Sequence, residues 1–329
     1  MGTFTTTMGL APEQAEQVIR LAGTAPSLHN TQPWRFRLHS QAIELHVDTA
    51  RRLPHTDPDD EELRLGCGAA LFNLRLALQH FRIRPGVSLI PHTGEPTLLA
   101  TVRSQGALNP AEEQVRLFRA ITTRRTNRRP FLATPVPETH RHALLGSVED
   151  EHSALHTVDR TQRAELLELV HRAHEVQMAD EGFRTEMAHW TGRTAEALEG
   201  VPASSAGPRR EDQDEWVLRD FSGGQARQRV PGKDFEDDPL TVVLCSYDKS
   251  RTDDLQAGQA LQRMLLTATS LGLTASLMSQ VIEVVETRER LRQLLGGRLH
   301  PQALLRIGYG SPVPATPRRA PHELLDPGP

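Results

Sequence analysis

Gly68-Ala69-Ala70-Leu71-Phe72-Asn73-Leu74-Arg75-Leu76-Ala77 aligns without a gap with Gly258-Gln259-Ala260-Leu261-Gln262-Arg263-Met264-Leu265-Leu266-Thr267. Each segment lies inside a strong helix pattern, and each is followed by a strand candidate, Leu98–Val102 and Leu304–Gly308. A repeat about 190 residues apart is far too long for a solenoid and is what a duplicated domain leaves behind. Chance is the other reading, since any two amphipathic helices share Gly, Ala and Leu.

Working outward, the first helix of the pair gathers Leu63, Cys67, Ala70, Leu71, Leu74, Leu78 and Phe81 on one stripe. Asp57 is a candidate N-cap with Pro58 at the first helical position, and Asp59, Asp60 and Glu61 suit the positive end of the helix dipole. Gly66 and Gly68 in its interior each cost on the order of 1 kcal/mol against Ala, so the helix is expected to pack very close to another backbone. Its counterpart, Asp253 to Leu271, ends at Gly272 in the C′ position. Pro12 to Ala22 reads as a helix, with Ala15, Val18, Ile19 and Ala22 at helical spacing. Ala42–Val47 alternates as a half-buried strand, and Leu240-Thr241-Val242-Val243-Leu244-Cys245 reads as a buried strand. Further helices are expected at Glu113–Ile121 and Arg163–Met178. From about 180 to 238 the chain turns polar, and 200–238 is rich in Gly, Pro, Asp and Arg; it reads as an insertion or lid.

The 329 residues give a prior of roughly two domains at ~150 residues each. With 37% apolar and 24% charged residues, a wholly disordered or collagen-like chain is excluded. No apolar stretch approaches ~18 residues, so no membrane span is expected, and the first ten residues show no secretory signal. Cys67 and Cys245 are too few and too far apart for a disulfide scaffold; a cytoplasmic protein is expected, with Cys67 a buried core residue. The net charge of −4 argues against nucleic-acid partners. Of the 38 basic residues only Lys233 and Lys249 are lysine. That excess is mainly compositional, but arginine is also the better bidentate phosphate ligand.

Motifs for common chemistries are missing. There is no Walker A pattern, no H-E-x-x-H, no C-x-x-C and no G-x-S-x-G. His171 and His174 share a helix face without an acidic partner at ligand spacing, so no metal site is expected. Two loops remain. Arg124-Arg125-Thr126-Asn127-Arg128-Arg129 is the densest basic run, either a solvated helix end or an anion site to which Arg318-Arg319 could contribute. Pro26-Ser27-Leu28-His29-Asn30-Thr31-Gln32-Pro33-Trp34 is dense in hydrogen-bonding side chains, either an ordinary capped loop or one that reads the edge of a heterocycle. Trp34 is expected to pack behind that loop.

Together these segments resemble the nitroreductase family of FMN-dependent oxidoreductases, and within it the Acg subfamily. Ser27-x-His29-Asn30-Thr31-Gln32-Pro33-Trp34, Arg124-Arg125-Thr126-Asn127-Arg128-Arg129-Pro130-Phe131, Gly258-Gln259-Ala260-Leu261-Gln262-Arg263 and Pro317-Arg318-Arg319 occur in that order over residues 27–319. The resemblance implies an α+β fold. Two tandem degenerate halves, each a mixed or antiparallel sheet with packed helices, would form a pseudo-dimer in one chain, dividing at about 115/116 with the insertion in the second half. Family members of ordinary length carry the arginine loop before the Gln-Pro-Trp loop and share each flavin site between two subunits. Here the first half keeps the Gln-Pro-Trp loop and the second the arginine loop, so one FMN site would remain. The resemblance assigns the FMN phosphate to Arg124, Arg125 and Thr126 with Arg318 and Arg319. It brings Ser27, His29, Asn30 and Gln32 to the flavin from the other half. Met278, Ser279 and Gln280 fall near flavin N5, and Arg263 stands where the family helix usually has asparagine. The implied activity is hydride transfer from NAD(P)H through the flavin to an electron-poor small molecule, by a monomer or a homodimer. Alternatives are an FMN-sequestering protein closed by a lid, or a specialised biosynthetic flavoenzyme.

Overall fold

The computed structural model describes residues 4–91, 94–208, 211, 216, 219–226 and 239–326. The remainder of the polar 180–238 segment, expected as an insertion or lid, lies outside the described residues. The first half opens with α1 (Pro12–Ala22), whose Ala15, Val18, Ile19 and Ala22 are wholly buried, as their spacing predicts. Strands β1 (Trp34–His39) and β2 (Ala42–Val47) precede the long helix α2 (Glu61–His80), and β3 (Ile83–Leu89) and β4 (Leu98–Ala107) follow it. α3 (Glu112–Ala120) leads into the second half: α4 (Glu138–Glu149), β5 (Ala154–Thr157), α5 (Arg160–Ala179), α6 (Glu181–Trp190), β6 (Leu240–Ser246), α7 (Arg251–Ser270), β7 (Thr274–Leu277), α8 (Gln280–Glu283), α9 (Val285–Leu294) and β8 (His300–Gly308).

The two halves have one topology. The first sheet runs β1-β2-β4-β3 and the second β5-β6-β8-β7, antiparallel throughout, with a long helix between the second and third strands of each in chain order. The expected α+β architecture of two similar halves is the observed one. The helices of the sequence repeat pack on each other: Gly68 faces Leu255 O and the Cα of Gly258, while Gly258 faces Leu65 O and the Cα of Gly68. Leu65 and Leu255 each precede their own glycine by three positions, so the contact is isologous, as at a two-fold dimer interface. It also explains Gly68 and Gly258, because the backbones touch where either Cβ would intrude, whereas Gly66 lies off the crossing, against Ser27. Both helices bury residues around most of their circumference, which marks central helices rather than surface ones.

The halves are also laced together at their ends. The C-terminal segment returns to the first half, where Leu325 bridges to Phe36 beside β1, and Asp326 N–H donates to Phe36 O at 2.8 Å. Leu324 and Leu325 join the first core with Trp34 and Phe36; Trp34 is fully buried, as expected behind its loop. In the second sheet both faces are covered. Val242, Leu244, Leu305 and Ile307 face one apolar cluster with α7, while Val243, Cys245 and Leu304 face another with α5, α8 and α9. That double burial is why β6 is apolar on both faces from Val242 to Cys245.

Several element ends differ from expectation. α2 starts at Glu61, and its N-cap is Asp60 in a left-handed conformation (φ 57°), not Asp57. Asp57 lies a turn earlier and its carboxylate accepts from Leu63 N–H at 2.7 Å, satisfying a first-turn donor from outside the helix. α7 begins two residues before Asp253, capped by Ser250, whose hydroxyl accepts from Asp253 N–H. β4 runs on to Ala107, and α5 starts at Arg160 behind an Asp159 cap.

Candidate functional site

The arginine loop and the Gln-Pro-Trp loop, nearly 100 residues apart in sequence, face each other across a cleft between the halves. Past α3 the chain turns, with Arg124 N–H donating to Ala120 O at 2.9 Å. It then pairs along the free edge of β7: Thr126 bridges to Ala275, and Asn127 N–H donates to Ala275 O at 2.9 Å. Arg124, Arg125, Thr126 and Arg128 thereby line one end of the cleft, together with Ser27, Asn30 and Arg318, around a volume of about 330 Å³.

This end is strongly cationic. Arg124 is buried and its Nε and Nη1 have no hydrogen-bond partner among the described residues. Burial, with Arg125 and Arg128 alongside, pushes its guanidinium down to about 10. Arg318 is pushed down to about 9 by burial and by Arg124 and Arg125. Its fork is held by four carbonyls, those of Thr24, Ala25, Thr316 and Pro317, at 3.1 to 3.4 Å. No carboxylate pairs with Arg124, Arg125 or Arg318 among the described residues. Buried Arg124 beside half-buried Arg125 and Arg318, without a counter-charge, is costly; an anion with several oxygens is the group that would offset them.

The Gln-Pro-Trp loop is held in a strained form. His29, Asn30 and Gln32 all have positive φ (48°, 58° and 53°), a conformation that costs on the order of 1 kcal/mol or more for each such residue. Ser27 braces it, its Oγ accepting from Gln32 N–H at 2.9 Å and its carbonyl from Asn30 N–H at 3.0 Å. Gln32 faces away from the cleft. Its Oε1 accepts from Arg319 N–H at 2.9 Å and its Nε2 donates to Leu198 O at 2.7 Å. Arg319 is likewise turned inward, to Gln32 O, Trp34 O and Asp48 at 2.5, 3.1 and 3.3 Å. Gln32 and Arg319 thus fix the loop to the C-terminal segment.

Beyond Ser27 and Thr126 the cleft narrows to about 70 Å³ and becomes largely apolar, lined by Leu65, Leu261, Leu277, His29, Ser279 and Phe221 among others. His29 is almost fully buried with both ring nitrogens unpartnered among the described residues. Burial, and then Arg219, pushes it down to about 3, so the ring is neutral with one nitrogen a donor and the other an acceptor. Phe221, from the polar 180–238 segment, lies against the Arg128 guanidinium at 4.5 Å and 6.1 Å from the His29 ring. Behind Ser279, whose Oγ accepts from Arg219 at 3.2 Å, the Arg219–Glu283 ion pair is almost wholly buried.

Three other expected site residues do not line the cleft. Met278 is a core residue whose N–H donates to Leu304 O at 2.9 Å. Gln280 is buried at the start of α8. Arg263 binds Glu113, Asp150 and Glu151 at 3.0, 2.6 and 3.3 Å, in a cluster whose members no local spacing in the sequence links. Conversely, Arg128, Glu62 and Phe221 line the cleft although the sequence assigns them no role. Arg128 stands inside the quoted basic run; nothing local in sequence marks the other two.

The sequence profile of the nitroreductase family matches residues 121–309. The chain is 32% identical over 315 residues to “Putative NAD(P)H nitroreductase acg” of Mycobacterium tuberculosis H37Rv, covering 94% of each chain. The chain belongs to the nitroreductase family. It is also 32% identical to “Putative NAD(P)H nitroreductase Rv3131” of the same strain, over 95% of this chain and 91% of the relative. A solved nitroreductase from Bacteroides fragilis with bound FMN overlaps 59% of this chain and 88% of its own at 17% identity and TM-score 0.37, too distant for residue-level comparison. No helix among the described residues is long and apolar enough to cross a membrane.

Proposed function

We propose that this nitroreductase-family protein binds one FMN in the cleft between its halves and passes a hydride from NAD(P)H to a small electron-poor acceptor. The carrying observation is Arg124, buried with two guanidinium nitrogens unpaired among the described residues beside Arg125 and Arg318, at the mouth of a largely apolar slot. An anionic tail on a flat heterocycle matches that polarity. Arg124, Arg125 and Arg318 would hold the phosphate, with the Thr126 hydroxyl donating. Ser27, His29 and Ser279 would meet the polar edge of the ring, and Leu65, Leu261 and Leu277 its faces. FMN, when bound, supplies the two-electron carrier; the chain's own part is to anchor, orient and exclude water. In this reading the halves divide near 115/116 and a single chain completes the site. Anaerobic addition of NADPH or NADH to flavin-loaded protein is expected to bleach its visible absorbance. A protein that takes up no FMN refutes the proposal.

One observation favours slow turnover under a lid. The insertion is fastened to the first half: Glu186 accepts from His55 N–H, Thr56 N–H and the Thr56 hydroxyl, Gly200 O accepts from Asn30 Nδ2 at 3.0 Å, and Glu199 pairs with Arg51. Phe221 then fills the narrow end, so the ring enters when Phe221 withdraws. Phe221→Ala is expected to speed FMN uptake by the flavin-free protein by about tenfold, through removal of the side chain and its contact with Arg128. Stopped-flow fluorescence quenching measures this; an unchanged rate makes Phe221 a fixed wall instead of a gate.

A further inference from the structure

Glu62 is a cleft carboxyl whose chemistry the proposed function leaves unused. It lies in the first turn of α2 and lines the narrow end with His29, Ser279 and Phe221. The residue is half-buried, and among the described residues no hydrogen bond reaches its carboxyl, which is open to the cleft. The charged groups around it come from four directions: Asp57 before α2, Glu283 at the end of α8, Arg219 from the insertion and Arg288 from α9. Both cations are already engaged, Arg219 by Glu283 and Arg288 by Glu61. Glu62 is therefore an unpaired carboxyl beside other carboxylates at an apolar wall.

The two acids at this wall are driven apart. Burial favours the neutral form of Glu283, but the adjoining Arg219 overrides it and holds Glu283 ionised. Burial, then Glu283 and Asp57, pushes Glu62 well above the usual carboxylate range. Environments that separate two titratable groups in this way assign the acid. His29, neutral and pushed down to about 3, has no acidic proton to give near pH 7.

We propose that Glu62 is the proton donor of the cleft, holding a proton at its narrow end and passing it to the acceptor as the acceptor is reduced. This rests on the oxidoreductase reading above. For a quinone the balance is simple. The quinone gains a hydride's two electrons and proton, which originate in the reduced nicotinamide, and one further proton. The Glu62 O–H bond breaks, an O–H bond forms on the product hydroquinone, and the carboxylate left behind is reprotonated from solvent. The nicotinamide ends oxidised.

Glu62→Gln keeps the shape and the neutral charge but releases no proton. Two probes separate a donor from a structural residue: a quinone, which must be protonated, and ferricyanide, which takes electrons alone. In E62Q the ratio of quinone to ferricyanide rates for reoxidation of the reduced protein is expected to fall by about 100-fold, the lower range for a general acid. The quinone rate of the wild type is expected to fall as pH rises through the Glu62 titration, and that of E62Q to lose the dependence. Infrared spectra of the flavin-free protein at pH 7 are expected to show a protonated-carboxyl band that E62Q lacks, and Glu62→Asp is expected to restore part of the ratio. An unchanged ratio, or a wild type without the band, overturns the proposal. A protein that neither acceptor reoxidises defeats the oxidoreductase reading and the donation with it, while the band, read without cofactor, still reports whether Glu62 keeps its proton.

Discussion

Replacing Arg124 and Arg125 together with alanine is expected to weaken FMN binding by about 10²–10⁴-fold. A hydrogen bond to a charged group contributes about 1.5–3 kcal/mol, and two guanidinium groups on one phosphate sum to roughly 3–6 kcal/mol. The two should contribute unequally. Arg124 is buried with two free N–H directions, whereas Arg125 is partly exposed and spends its Nη1 on the carbonyls of Thr122 and Arg124, at 2.9 and 2.8 Å. Arg124→Ala alone should carry most of the loss. The same substitution should have the opposite effect on the flavin-free protein. It removes a buried charge that faces Arg125, Arg128 and Arg318 without a carboxylate, so the flavin-free fold should gain on the order of 1 kcal/mol. Fluorescence quenching gives the affinity and thermal unfolding of flavin-free protein the stability. Opposite signs in the two measurements are the signature of a residue kept for an anion; full flavin occupancy in the double variant refutes the assignment.

The fold was legible where a local pattern and its tertiary use coincide. The stripe of α1, the apolar run of β6 and the stop at Gly272 (φ 76°) all follow from neighbours in sequence. The repeat was legible for a deeper reason: two helices that meet at a pseudo-two-fold must both keep glycine at the crossing, so Gly68 and Gly258 align. What escaped was non-local. Trp34-Arg35-Phe36-Arg37-Leu38-His39 alternates as a strand should, yet it follows directly on a polar, proline-bounded loop. β3 holds Pro85 and Gly86, tolerable because it is an edge strand. The start of α2 looked like an Asp-Pro cap because that pair is a strong local signal, while the chain uses Asp57 from a distance.

At the site the same division holds. Residue types announced an anion end and a polar loop, but not which side chains turn inward. Gln32 and Arg319 meet each other across 287 residues of sequence, and Arg263 reaches carboxylates on and beyond α3 and α4. Glu62 follows the acidic run Asp59-Asp60-Glu61 and has no local mark. Its character comes from burial and from Glu283, which only the folded chain brings near.

Gly68→Val should destabilise the whole chain, by about 3 kcal/mol or more. Alanine in place of glycine inside a helix normally gains about 1 kcal/mol, so the local effect points the other way. Here a Cβ at position 68 would stand 2.2 Å from Leu255 O and 2.9 Å from the Cα of Gly258; one at 258 would stand 2.1 Å from Leu65 O and 2.8 Å from the Cα of Gly68. Every obstructing atom is backbone, so no rotamer change relieves the clash and α2 and α7 must separate. Overpacking commonly costs 1–3 kcal/mol. A displaced central helix pair, shared by both cores through Leu65, Leu255 and Leu266, belongs at or above the top of that range. Gly68→Ala should cost about 2 kcal/mol for the same reason, and Gly258→Ala should match it because the contact is symmetric. The double alanine variant should cost less than the sum, since the separation forced by the first Cβ makes room for the second. Gly66→Ala is the control: its Cβ would meet Ser27 Cβ at 3.4 Å, ordinary contact, and Pro26 O at 3.6 Å. It should stay within about 1 kcal/mol of the wild type. Denaturant unfolding of the single variants and the double orders these costs. Equal stability of Gly68→Ala and Gly66→Ala would mean that the two helices do not cross at their glycines, and the pseudo-two-fold would lose its axis.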